Sequence, residues 1–281
     1  MSPRAKATEV LAEAEDRLLK LAEALDMHVP NEEYPVALLV LGSRSRSLFG
    51  GFVEAARGPA HPVSFYLLRP LVEMNMVLRF LRKNPELHTE MWLAEGDRQA
   101  LALLRDVDEH KLHPPGFGHE EIPGEVAAHM QAGISEARSK AQAAQIIGIS
   151  STGRIFPSTR GIVQWLDDRD VWGGYVFGYR ALSWNVHGSR HAFGVGESVL
   201  EVGDRVSYSD YVTTLDLLMA RALAITVFSS ALCIVSEELG LGIEGESNRI
   251  NRFIAKAKLV PSEEGEQRSH YGSKDLKKRD E

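Results

Sequence analysis

An arginine and a histidine seven positions apart, Arg180 and His187, are the residues best suited to chemistry in this chain. They lie in the stretch DVWGGYVFGYRALSWNVHGSRHAF, residues 170–193. Helical spacing puts Val176, Arg180, Ser183 and His187 in one row. A neighbouring row of Trp172, Tyr175, Tyr179, Leu182 and Val186 is apolar and aromatic, and should face the core. Seven residues of helix span about 10 Å. The two side chains are therefore too far apart to bond well, yet both can reach one extended anion. Guanidinium grips phosphate through paired hydrogen bonds, and imidazole can take or give a proton near neutrality. The chemistry implied is the binding of one extended anion such as a phosphate, beside a histidine able to act as acid or base. The alternative is a structural histidine hydrogen-bonded across helices.

A second polar intrusion sits in HPVSFYLLRPLVEMNMVLRFLRK, residues 61–83. Arg69 and Glu73 are four apart and share a helix face, among Phe65, Leu68, Leu71, Val72, Met76 and Val77. Burying either charge alone costs on the order of several kcal/mol, so both need partners. They are either an ion pair locking this helix, which Pro70 should kink or loosen, or the polar half of a site. The expected arrangement packs Arg69 and Glu73 against the Arg180/Ser183/His187 row. Glu73 would orient Arg180 or His187, and Arg69 would add a second positive group. The candidate catalytic residues are then His187, Arg180 and Glu73, with Arg69, Ser183, Tyr179 and His191 in binding roles. Glu73, His187, His191 and His61 could also gather around a metal, but Arg69 and Arg180 would repel a cation. No metal or cofactor is expected.

The familiar motifs are missing: the sequence has no GxxxxGK[ST] loop, no strand-borne GxGxxG, no HExxH and no GxSxG. The single cysteine, Cys233, rules out an internal disulfide and reads as a small buried hydrophobe. A net charge of -7 argues against tight non-specific nucleic-acid binding, although a local basic groove remains open.

The pair Arg180 and His187 resembles the R-x4-6-H pattern of HEPN ribonucleases. In that family the arginine steadies a phosphate. The histidine acts on the ribose 2′-hydroxyl or the leaving oxygen, without metal. Ala181 departs from the pattern, because HEPN enzymes usually place a polar residue after the arginine. More broadly, LLRPLVE together with YRALSWNVHGSRHAF resembles a bacterial family of all-helical domains that carry an R-x-x-x-E helix and a later Y-x-x-L-S-x-x-x-H helix. The matching positions are Arg69, Glu73, Tyr179, Leu182, Ser183 and His187, and the likeness covers roughly residues 40–235. It implies that the two polar intrusions form one site, and it implies no activity.

The elements that must position these residues read as an all-α, multi-helix bundle. Helical patterns cover 3–27, 32–57, 61–83, 84–110, 121–147, 209–239 and 247–258, with two helical pieces in 161–191 around Asp167 and Asp168. Loops fall at 113–120 and 148–160, and 121–147 reads as an exposed arm. The glycines and the alternating VLEVGDRVSY of 193–211 suggest a small β-hairpin near 193–208. Residues 215–235 are apolar but carry Asp216 and Arg221, which favours a buried central helix over a membrane span. The core is expected from the helices at 61–83, 161–191 and 209–239, with the first two helices packed outside. One helical domain over 1–260, with its core at about 33–240, precedes a charged, disordered tail at 261–281. The N-terminus lacks the apolar run of a signal peptide, so a cytoplasmic protein is expected. Its partner would be RNA or a small anion, at a cleft or at the seam of a homodimer. The rival reading is a non-catalytic binding or structural protein in which Arg69, Glu73 and His187 form a buried polar lock.

Overall fold

Apolar side chains recurring at helical spacing build long helices, and these bury one continuous core. The computed structural model describes residues 3–27, 29–58, 61–110, 123–146, 148–149, 153–180, 197–202, 205–210 and 214–256. Helix α1 (Pro3–Leu21) ends in a 3-10 turn (Ala22–Leu25), and α2 (Glu33–Arg57), α3 (His61–Lys83), α4 (Pro85–His110) and α5 (Gly124–Ala143) follow. Two short helices, α6 (Thr159–Leu166) and α7 (Arg169–Gly173), lead directly into a π-helical segment, Gly174–Arg180. After a β-hairpin come α8 (Thr214–Leu239) and α9 (Glu244–Lys256). The fold is an all-α multi-helix bundle.

The hairpin pairs β1 (Glu197–Val202) with β2 (Arg205–Asp210), antiparallel, with Glu197 opposite Asp210 and Val202 opposite Arg205. It lies slightly beyond the expected span. The expected tail at 261–281 and the loop at 113–120 fall outside the described residues.

Helix α8 is the centre, packing against α1, α2, α3 and α9. Its segment Leu217–Leu239, like Glu33–Arg57, is long and apolar enough to cross a membrane. Here it serves as a core helix, with 72% of its most apolar window buried. Arg221 enters this apolar setting because Glu15 of α1 accepts from its Nε at 2.7 Å and its Nη2 at 2.8 Å. A charge so paired and hydrogen-bonded can be buried.

Helix α2 corrects the expectation of an outer position. It is part of the core, with Leu38, Leu41, Phe49 and Phe52 fully buried. Phe49 stacks on Phe228 of α8 at 4.4 Å between ring centroids. At Gly42 the two helices run close: a Cβ there would stand 3.3 Å from Val235 Cγ2. The α8–α9 turn uses Gly240 (φ 66°) and Gly242 (φ 72°) in left-handed backbone that glycine adopts without penalty. Buried Ser229 and Ser247 then join the helices, with their hydroxyls 2.8 Å apart.

Helix α5 is not a free arm. It lays Ile134, Ala137 and Ala141 against the rest of the fold, packs along α4, and ties Lys140 to Glu90 at 2.8 Å. Glu95 of α4 holds the segment before α6, accepting from the Ile155 amide at 2.9 Å.

Candidate functional site

The site residues depend on how α3 grips the chain that follows α5. Ser158 caps α6 by accepting from the Gly161 amide. Asp167 then turns into left-handed backbone (φ 44°), and Asp168 accepts from the amides of Asp170 and Val171 to start α7. This acidic pair produces the break between two helical pieces that the sequence suggested.

The expected α-helix over 170–191 is corrected at 174–180, and residues 181–191 lie outside the described residues. Regular α-helix stops at Gly173, and Gly174–Arg180 is π-helical. The i→i+5 bonding widens each turn beyond 3.6 residues, yet residues four apart still share a face, as Tyr175 and Tyr179 do. Val176 is exposed, while Trp172, Tyr175 and Tyr179 pack against the core as the aromatic row predicted. Tyr175 stacks on Tyr179 at 5.5 Å, and Trp172 meets Tyr175 edge-on at 6.0 Å.

Helix α3 meets this segment through Arg69 and meets α6 through Glu73. Arg69 Nη2 donates to Tyr179 Oη at 3.0 Å, and its guanidinium carbon lies 4.7 Å from the Tyr179 ring centroid. This combines a hydrogen bond with a cation–π contact. Glu73 Oε1 accepts from Thr159 Oγ1 at 3.1 Å, at the first residue of α6. The four side chains are half-buried. The two charges of α3 thus reach two different elements, fastening α6 with one and the π-helical segment with the other. Arg69 is brought to the residue immediately before Arg180. The side chain of Arg180, and Ser183, His187 and His191 entirely, lie outside the described residues. Among the described residues no three His, Cys, Asp or Glu side chains gather as a metal site.

Sequence reasoning passed over one histidine. His88 is fully buried in the first turns of α4 and donates Nδ1–H to the Phe80 carbonyl at 2.6 Å. Its ring stacks on Phe80 at 3.8 Å and meets Trp165 edge-on at 4.9 Å. Burial lowers its pKa, partly opposed by the bond to Phe80. It is a neutral core histidine. Nothing local marks it, since its burial comes from α4 folding back over the end of α3.

No family model, no curated protein and no solved structure matches the chain.

Proposed function

We propose that this chain is a cytoplasmic helical protein that binds a phosphate ester through Arg180 and His187, with metal-independent cleavage of RNA as the enzymatic form of that activity. The observation that carries the reading is the Arg69–Tyr179 contact. It anchors the residue before Arg180 and brings a second guanidinium to that end of the π-helical segment. π-helical stretches recur at functional sites, which supports the same placement. In the reaction, Arg180 and Arg69 hold the non-bridging phosphate oxygens. His187 takes the proton of the ribose 2′-hydroxyl as that oxygen attacks phosphorus. The P–O5′ bond breaks, leaving a 2′,3′-cyclic phosphate, and solvent protonates the departing 5′-oxygen.

A second reading is favoured by the partners of the same charges. Arg69 and Glu73 each bond across to another element, as a structural lock would require. The test is cleavage of single-stranded RNA in EDTA by wild type, Arg180→Ala and His187→Ala, with the Tm of each. The enzymatic reading expects both variants to lose at least about 100-fold in rate at unchanged Tm. Equal cleavage by all three, or none by wild type, removes the nuclease. A drop in Tm of several degrees for His187→Ala establishes the lock.

A further inference from the structure

A groove of about 1080 Å3 opens between α3, α7 with the start of the π-helical segment, α8 and α9. Arg79 of α3 stands in its wall. Its Nε donates to Asn75 Oδ1 at 3.1 Å, and its Nη2 donates to Ser230 Oγ at 2.9 Å. Asn75 is buried and is itself fixed by donating Nδ2 to the Val227 carbonyl at 3.2 Å. The guanidinium is thus positioned by neutral groups that leave its charge uncancelled.

The other well-held arginines differ. Arg221 is closed off by Glu15, Arg57 by Glu15 and Asp16, and Arg82, in the same wall, by Glu237 and Glu238. Among the described residues no carboxylate forms an ion pair with Arg79. Asp168, a carboxylate that feels the Arg79 charge, is committed as the cap of α7. Its carboxyl is held below the usual range first by the Val171 amide, with Arg79 and Lys83 adding more distant attraction. Lys83 and Arg169 bring further positive charge to the groove, against Asp170.

The rest of the lining is mixed. Leu166 and Leu223 offer half-buried apolar surface beside the buried Val72 and Met76, while Asn248 and Asn251 offer amides from α9. A fixed cation beside an apolar wall, in a cavity of small-molecule size, suits one ligand class.

The geometry points to a binding site at Arg79 for an amphipathic organic anion: a phosphate monoester or carboxylate on an apolar body. The anionic head lies on Arg79, with Lys83 nearby, and the apolar body runs along Leu166 and Leu223.

Calorimetric titration of the full chain tests this, using octyl phosphate, octanoate, inorganic phosphate and 1-octanol as probes. Saturable binding of octyl phosphate or octanoate is expected, and whichever binds tighter identifies the head group. Inorganic phosphate and 1-octanol, each with half the recognition, should bind at least about tenfold more weakly. Arg79→Gln should weaken the preferred probe about tenfold or more, the loss of one charge-assisted hydrogen bond. Thr226→Trp narrows the groove from an exposed position on α8 and leaves the Arg79 bonds intact, so it should do the same even if Arg79→Gln fails to fold. The proposal is overturned if folded wild type binds neither amphiphile at millimolar concentration. It is equally overturned if Thr226→Trp and a folded Arg79→Gln bind as wild type does, or if inorganic phosphate matches the amphiphiles.

Discussion

Replacing Glu15 by glutamine should be among the most damaging conservative changes available in this chain. Glu15 is fully buried, and Arg221 is only 3% exposed. The carboxylate takes two bonds from Arg221 and one from Arg57 Nε at 2.9 Å. Glutamine keeps the shape but leaves the Arg221 charge in the core without its counter-ion. Breaking a buried, hydrogen-bonded ion pair on one side costs about 3–5 kcal/mol. For a chain of this size that corresponds to a fall in Tm of roughly 6–15 °C. Arg57 is more than a third exposed at its side chain, so Arg57→Ala should cost only about 1 kcal/mol. The informative comparison is Glu15→Met with Arg221→Met. Removing both charges also removes the desolvation penalty, so the double variant should recover most of the loss. Urea unfolding of wild type, both singles and the double variant provides the cycle. The reasoning is refuted if Glu15→Gln costs under 1 kcal/mol, or if the double variant is as unstable as the two singles added together.

Three further outcomes follow from the same structure. Burial alone would raise the Glu95 pKa, but hydrogen bonds from Arg98, Gln99 and the Ile155 amide bring it down to about 2. Its folded value lies below its unfolded one, so its stabilisation of about 3 kcal/mol is complete above about pH 4.5 and drains as pH falls towards 2. Urea midpoints across that range should fall in wild type and flatten in Glu95→Gln; equal slopes would contradict this. His88 behaves in the opposite way, because burial disfavours its charged form. The unfolded chain takes the proton first, so stability erodes as pH falls below about 6.5. NMR of the imidazole should show the neutral Nδ1–H tautomer at pH 6, and a midpoint at or above 6.5 would contradict it. Gly240→Ala should cost about 1 kcal/mol by forcing an alanine into left-handed backbone, and an unchanged urea midpoint would count against that strain.

Much of the scaffold was legible because helical period is local. The span of α3 and its pair Arg69 and Glu73 were readable from residues 61–83 alone, as was the buried helix containing Arg221. The place of α2 was not, because Ser43-Arg44-Ser45-Arg46-Ser47 looks like a solvated stretch. In the fold that stretch divides: buried Ser45 turns its hydroxyl back to the Leu41 carbonyl at 2.8 Å, while Arg46 pairs with Asp26 at the surface. Glu15 looked like one more charge on an amphipathic helix, and its partner lies 206 positions away. The π-helical segment escaped notice because its residues also satisfy a 3.6-residue period. The closeness of Tyr175 and Tyr179, four positions apart, was legible from spacing all the same. Arg79 was visible as an interruption in α3, but its neutral partners and the groove beside it come from four separate elements.

The central claim is that the α3 charge and the Arg180/His187 segment meet at a single anion site. Affinity for a short 2′-O-methylated RNA, which can bind but cannot be cleaved through its 2′-oxygen, tests this most directly in wild type, Arg69→Gln, His187→Ala and the double variant. One shared site predicts about a tenfold loss for each single change and a double variant clearly less affected than the product of the two. Absence of wild-type binding, or losses that multiply independently, would contradict it.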